Sequence, residues 1–169
     1  MSKYLTKIIS AKFYAKKFSY RWKTKQGLKI KEKIIQALVA GHDWSQHLPE
    51  EYKIVTGTDL NDLRGICFER QDLSGVDLSL AALNFASFDY CNLEEIDLQR
   101  SDLSYASFKN ANLRGANLVN AKAKYTCFDY ATLDSTFAMY TDFSNASFQN
   151  ANMESVALSN TILRNARLY

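Results

Sequence analysis

Apolar side chains recur at every fifth residue through most of the chain after residue 60. The series begins at Leu63 and continues without an insertion to Leu168. Phenylalanine marks a longer period of twenty within it, at Phe68, Phe88, Phe108, Phe128 and Phe148. Neither an α-helix, with a period of 3.6, nor a strand, with a period of 2, produces such a repeat. Four five-residue units in each twenty-residue turn therefore indicate a solenoid with four sides.

A second apolar or small residue stands two positions before most of these apolar centres, as Ala106 and Ala116 do. Alternation by two along an extended segment places both residues on the same side of the backbone. The residue between them is polar in most repeats, often Asp or Asn, and we expect it to face solvent, Asp62 and Asp97 included. The pattern predicts an all-β solenoid whose stacked repeats bury a continuous core.

The unit Ala-(Asp/Asn)-(Leu/Phe)-x-x resembles the pentapeptide-repeat family, and residues 111–118 show it cleanly. The resemblance extends over residues 61–169. It implies a right-handed quadrilateral β-helix with leucine or phenylalanine ladders along its axis, and the repeats would form about five and a half coils. We expect residues 58–169 to make up this β-helix.

The first sixty residues have a different composition. They contain eleven Lys and one Arg against five acidic residues, a net charge of +7. Residues 61–169 contain nine basic and thirteen acidic residues, a net charge of −4. Because no acidic residue precedes Glu32, the positive charge is concentrated at the N-terminal end.

Helical periodicity in this basic segment predicts two amphipathic helices, followed by a short helical turn at residues 43–48. We expect residues 1–57 to form an α-helical cap, because the end of a solenoid exposes strand edges and an open core. Trp22, Trp44 and Leu48 are the expected packing anchors of this cap.

Residues 1–24 have two alternatives to a role in the cap. The first is contact with an anionic membrane surface or a nucleic acid, which a lysine-rich amphipathic helix without acidic residues suits. The second is a targeting or secretion signal. The expected anionic-partner residues are Lys12, Lys16, Lys17, Lys23 and Lys25. No uninterrupted apolar segment of a secretory signal or of membrane-spanning length is present, so we expect a cytoplasmic protein.

No catalytic, cofactor or metal motif stands out. Cys67, Cys91 and Cys127 do not have metal-ligand spacing, and neither a glycine-rich phosphate loop nor a nucleophile elbow is visible. A filled solenoid core also leaves little room for a deep pocket. We therefore expect a protein that is not an enzyme and that binds no cofactor or metal.

Outward positions align in columns once the period of twenty is applied. Phe85, Tyr105 and Tyr125 are expected to lie one above another, with Tyr90 and Tyr130 on the neighbouring side. Stacked aromatic residues stabilise a corner, and exposed ones also form the centres of protein interfaces. Both alternatives remain open for this aromatic column.

A second surface departs from the polar pattern. Its residues, which replace polar side chains of the other coils, are Val119, Phe137, Met139 and Tyr140. Phe137 either folds back over the gap left by the small core residues Ala123 and Ala138, or it contributes to an interaction surface. The uncapped C-terminal edge is the expected site of a homodimer contact.

The favoured function is a non-catalytic, protein-binding solenoid. Its resemblance to the pentapeptide-repeat family implies a bacterial protective or toxin-immunity factor that binds a target protein. A membrane-associated or secreted effector that uses the basic N-terminal helix is the first alternative. A DNA mimic that protects DNA gyrase and confers antibiotic resistance is the second, although mimicry implies a strongly acidic rod and residues 61–169 carry a net charge of only −4.

Overall fold

The structure is a computed structural model that describes residues 3–50 and 60–169 and, within the first helix, the side chains from Phe13 onward. The described part of the chain begins with three helices: α1 (Lys3–Lys23), α2 (Lys25–Val39) and a 3₁₀ helix (Trp44–His47). Strands β1 (Asn61–Asp62) and β2 (Ala81–Ala82) follow and pair in parallel. The expected boundary between residues 57 and 58 lies outside the described residues.

The part after residue 60 is built from twenty-residue coils. Parallel bridges join residues that are twenty apart, from Cys67 with Ser87 to Ser147 with Arg167. We name the four sides of each coil A, B, C and D after residues 61–64, 66–69, 71–74 and 76–79 of the first coil and the residues at twenty-residue intervals from them. The solenoid predicted from the period is confirmed.

Every fifth residue from Gly65 to Asn165 forms a corner between two sides and has a positive φ. Many of these corners are closed by a bond between residues three apart, as when the Ile66 amide donates to the Leu63 carbonyl at 3.1 Å. Positive φ at the third residue is the requirement of a type II turn. Most corner residues are not glycine, so the bonds between coils offset a cost of about 1–2 kcal/mol at each.

The core contains a continuous phenylalanine ladder. The rings of Phe68, Phe88, Phe108, Phe128 and Phe148 stack with centroid separations from 4.7 to 5.2 Å. These separations match the ~4.8 Å distance between paired strands. Cys91 lies in the core beside the ladder, and burial raises the pKa of its thiol to about 11, which keeps it protonated.

The N-terminal helices contact the backbone edge of the first coil. In later coils, the residue directly before each apolar centre uses its backbone carbonyl to accept a hydrogen bond from a backbone amide of the preceding coil. The Leu83 amide, for example, donates to the Asp102 carbonyl at 2.8 Å. The first coil has side-chain donors at equivalent carbonyls. These bonds join Arg21 to Asp62 (3.1 Å), Lys31 to Cys67 (3.0 Å) and Trp44 to Asp77 (3.1 Å).

Apolar packing accompanies these bonds. Trp22, Trp44 and Leu48 are buried, and the Trp22 indole donates to the Arg64 carbonyl at 2.9 Å. Helix α2 begins where the Thr24 hydroxyl accepts the Gly27 amide at 3.0 Å, and its buried residues include Ile34 and Leu38. The helices are therefore joined to the first coil through both polar and apolar contacts.

Asp62 differs from the expectation that it faces solvent. It is buried between Arg21, which contacts it at 2.6 Å, and Arg64, which contacts it at 2.7 Å. Burial would raise the pKa of this carboxyl, but the hydrogen bonds from Arg64 and Arg21 hold the pKa at about 2. The expectation was wrong at this position because helix α1, which no repeat pattern encodes, covers side A of the first coil.

Helix α1 approaches the first corner too closely for any side chain there. A Cβ at Gly65 would lie 2.6 Å from backbone atoms of Phe18 and Ser19, whereas one at Gly75 meets no atom within 4 Å. Both glycines occupy corners with nearly equal positive φ, 72° and 66°. We expect Gly65→Ala to lower the free energy of unfolding by about 2 kcal/mol more than Gly75→Ala, because only Gly65→Ala must displace a helix.

Urea denaturation followed by tryptophan fluorescence measures this difference. Gly75→Ala is the matched control, since it carries the same conformational cost at a corner. Equal losses for the two variants would mean that α1 does not rest on the Gly65 corner.

Candidate interaction surfaces

The aromatic column at the corner between sides A and B forms a continuous stack. Phe85 lies 5.2 Å from Tyr105, and Tyr105 lies 4.8 Å from Tyr125, with nearly parallel rings. Phe18 of α1 extends the stack at 6.0 Å from Phe85, and Tyr14 lies 6.2 Å from Phe18. Phe85 is therefore partly covered by the chain itself, which favours a packing role for the lower end of the column.

A second pair of aromatic residues stands at the corner between sides B and C. Tyr90 and Tyr130 are both exposed, and Asn110 lies between them in the same column. The guanidinium of Arg70 lies over the Tyr90 ring at 4.7 Å, a cation–π contact. These tyrosines are separated rather than stacked, so they do not make one continuous surface.

The apolar patch on side D is the most extended departure from the polar outer pattern. It comprises Val119, Phe137, Met139 and Tyr140, with Phe137 51% exposed and Tyr140 59% exposed. Phe137 pairs through its backbone with Asn117 on one side and Ala157 on the other. Because half of its surface is open to solvent, Phe137 does not fold back over the core.

Phe143, rather than Phe137, packs in the core near the small residues Ala123 and Ala138. Its ring lies edge-on to Phe128 at 5.6 Å and to Phe148 at 5.1 Å. Both Ala123 and Ala138 are fully enclosed. The core at this level is thus closed without Phe137, which leaves that side chain on the surface.

Ile162 is an exposed apolar residue that the sequence interpretation missed. It stands in the column of Asp102 and Asp142, an outward position on side A. Comparison of that column, the same test that identified Phe137, would have found it. Ile162 lies one coil beyond Tyr140 and across the same corner, so it borders the patch on side D.

The basic residues expected to contact an anionic partner lie in the helical part. Lys16, Lys17, Lys23 and Lys25 are exposed, whereas the side chain of Lys12 lies outside the described residues. None of the described helices is long and apolar enough to cross a lipid bilayer. Arg21, by contrast, points inward to Asp62 and is not part of this exposed group.

Polar groups on the solenoid surface form short local pairs. Ser107 donates to Asp89 and Ser147 donates to Asp129, both at 2.5 Å, between adjacent coils of side B. Among residues 3–50 and 60–169, no group of His, Cys, Asp or Glu side chains has an arrangement that would hold a metal ion. A shallow groove of about 530 Å³ borders Tyr125, Asn145 and Arg167, and its lining contains no histidine or acidic side chain.

The repeat pattern also matches a family model. The model for pentapeptide repeats matches eight copies in this chain, over residues 62–100, 101–137 and 126–165. The chain belongs to the pentapeptide-repeat family. The match spans the coils and leaves out the helical part before residue 60.

Solved pentapeptide-repeat structures resemble the chain at low identity. Rfr23 from the cyanobacterium Cyanothece 51142 is 22% identical over 63% of this chain and 86% of its own, with a TM-score of 0.45. HetL from Nostoc sp. strain PCC 7120, involved in heterocyst differentiation regulation, is 19% identical over the same shares, with a TM-score of 0.19. QnrB1, a plasmid-mediated fluoroquinolone resistance protein, is 17% identical over 60% of this chain and 71% of its own, with a TM-score of 0.34.

No curated protein matches the sequence. The pentapeptide-repeat assignment therefore rests on the family model and on the coil geometry. It describes the rod and assigns no role to any of the exposed surfaces. The binding residues, the homodimer contact and the cytoplasmic location stay predictions.

Proposed function

We propose that this pentapeptide-repeat chain is a non-catalytic, protein-binding solenoid that acts in the bacterial cytoplasm as a protective or toxin-immunity factor. The observation that carries the proposal is the patch of Val119, Phe137, Met139 and Tyr140 on side D. Its members replace polar residues of neighbouring coils, and Phe137 and Tyr140 are more than half exposed. Exposed aromatic residues and methionine are enriched where proteins bind proteins.

The rod is a suitable platform for such a patch. Every coil is bonded to the next through backbone hydrogen bonds, so the outward side chains have fixed spacing. A preorganised surface loses little conformational freedom on association, which favours affinity. The aromatic column is a weaker candidate because its lower end packs against α1.

We also propose that α1, α2 and the 3₁₀ helix act as the N-terminal cap of the solenoid. Support comes from the side-chain donors that reach the carbonyls of Asp62, Cys67 and Asp77. Parallel strand edges with free carbonyls invite pairing with other chains. Covering them keeps binding at the outer sides of the rod.

The binding proposal is tested by restoring the polar pattern. A patch variant carries the residues of adjacent coils in the same columns: Val119→Gln, Phe137→Asn, Met139→Ser and Tyr140→Asn. A matched control carries Tyr90→Asn and Tyr130→Asn, because Tyr130 is 60% exposed and also occupies a corner with positive φ. Neither variant alters the core, and circular dichroism verifies the coils.

Quantitative pull-down from a bacterial lysate identifies the partner, and calorimetry with the purified partner measures affinity. We expect the patch variant to bind at least thirtyfold more weakly than the wild type, because loss of a central aromatic pair costs about 2 kcal/mol or more. The control should bind within threefold of the wild type. A loss confined to the control would place the interface on sides B and C, and the absence of any specific partner would refute the protein-binding function.

The protective role has a separate test. A partner that is a toxin, or the target of a toxin, is purified. Its activity is then measured in the presence of the wild-type protein and in the presence of the patch variant. We expect the wild type alone to preserve cell growth when the toxin is expressed. Binding without protection would leave a protein-binding rod and refute the immunity role.

A further inference from the structure

From Phe13 onward, where its side chains are described, helix α1 has two different faces, and one of them contacts the solenoid. At 3.6 residues per turn, Tyr14, Phe18, Arg21 and Trp22 fall within an arc of roughly 100°. Phe18 stacks on Phe85, Arg21 pairs with Asp62, and Trp22 is buried. This inner arc accounts for the attachment of α1 to the first coil.

From Phe13 to the end of the helix, the opposite arc carries basic and aromatic side chains. Phe13, Lys16, Lys17, Tyr20 and Lys23 fall within roughly 120° of one another. Phe13 is 65% exposed and Tyr20 is 70% exposed, and the three lysines are exposed as well. In the described part of the chain, no acidic side chain forms an ion pair with Lys16, Lys17 or Lys23. The outer arc is therefore a positively charged surface that also exposes two large aromatic rings.

We propose that the outer arc of α1 docks the protein on the surface of an anionic phospholipid bilayer, with the rod projecting from it. Lysines at this spacing attract anionic headgroups, while the rings of Phe13 and Tyr20 enter the boundary between headgroups and acyl chains. Charge complementarity alone would also suit a nucleic-acid duplex, but phosphate contacts to a duplex use the lysines and leave the Phe13 ring in water. The exposed aromatic residues therefore favour lipid.

This docking does not compete with the attachment of α1 to the rod. The inner arc keeps its contacts with Asp62, Arg64 and Phe85, and the outer arc is free to meet the membrane. The patch on side D lies on the third and fourth coils, away from α1. The protein can then bind a membrane and a protein partner at the same time, through different surfaces.

Vesicle co-flotation with the full chain tests the proposal. Vesicles of phosphatidylcholine with 30% phosphatidylglycerol are compared with vesicles of phosphatidylcholine alone, at low and at high salt. We expect the wild type to bind the anionic vesicles at least tenfold more tightly than the neutral ones, with the difference shrinking as salt screens the lysines.

Two variants locate the surface. Lys16→Gln/Lys17→Gln/Lys23→Gln removes the charge of the outer arc, and Phe13→Ser/Tyr20→Ser removes its rings. We expect each to weaken binding to anionic vesicles at least tenfold while circular dichroism stays unchanged. The matched control, Lys109→Gln/Lys122→Gln/Lys124→Gln, lowers the net charge by the same amount on the rod and should bind within threefold of the wild type.

Several outcomes would overturn the proposal. One is equal binding to neutral and anionic vesicles, or none to either. Another is an equal loss in the rod control, which would show that net charge rather than α1 governs binding. A third is lysine-dependent binding of a 30-base-pair duplex DNA probe with no vesicle binding, which would assign the outer arc to a nucleic acid.

Discussion

Phe108→Ala is expected to lower the free energy of unfolding by about 3–5 kcal/mol, the range for truncating a fully buried phenylalanine. Phe108 is completely enclosed and stacks between Phe88 at 4.7 Å and Phe128 at 5.0 Å. Truncation to alanine would leave a cavity in the third coil, and this cavity would weaken the interfaces with both neighbouring coils. The backbone ladder prevents the coils from moving together to fill it.

Urea denaturation followed by far-ultraviolet circular dichroism measures this loss. Phe108→Leu is the matched control, because leucine occupies equivalent core positions on the other sides of the coil. We expect the leucine variant to lose less than about 1.5 kcal/mol. If Phe108→Ala also lost less than about 1.5 kcal/mol, the ladder would not be what holds the coils together.

Asp62→Asn is expected to destabilise the docking of α1 by about 3 kcal/mol or more. The substitution keeps the shape of the side chain but removes the carboxylate that pairs with Arg21, whose side chain is 13% exposed. Removing one partner of a buried ion pair typically costs about 3–5 kcal/mol. Arg64 is more exposed than Arg21, so its guanidinium can turn towards water.

The same pair predicts a pH dependence. The pKa of Asp62 is lowered from 3.8 to about 2, so the folded state binds the proton less tightly than the unfolded chain. The stabilisation, about 2 kcal/mol, is fully present above pH 4 and is lost as the pH falls through 2. Stability of the wild type should therefore decline more steeply between pH 4 and pH 2 than that of Asp62→Asn.

Asp97→Asn is the matched control for the charge. Asp97 occupies the same repeat position and accepts the Gln99 amide at 2.8 Å, a bond that asparagine retains. We expect this variant to differ from the wild type by less than about 0.5 kcal/mol. Identical pH profiles for the wild type and Asp62→Asn would show that Asp62 is not held in the ionised form by its arginine partners.

The sequence alone determined the coil. A residue such as Phe108 lies in the core because five-residue spacing returns it to the same side of every turn, and that spacing is a local property of the chain. The same arithmetic placed Phe85, Tyr105 and Tyr125 in one stack. It also placed Phe137 in a column of polar residues, but it left open whether the ring folds back over the core. A repeat that is continuous over more than a hundred residues leaves few other arrangements.

Only the tertiary structure decided how the helices meet the coil. Nothing in the repeat distinguishes Asp62 from Asp97, yet α1 buries the first and leaves the second accessible. Likewise, the period places Phe85 beside Tyr105 but contains no information on Phe18, which joins them from another element. The physical reason is that spacing within a repeat is a local constraint, whereas burial at the end of a solenoid depends on which non-repeating segment packs there.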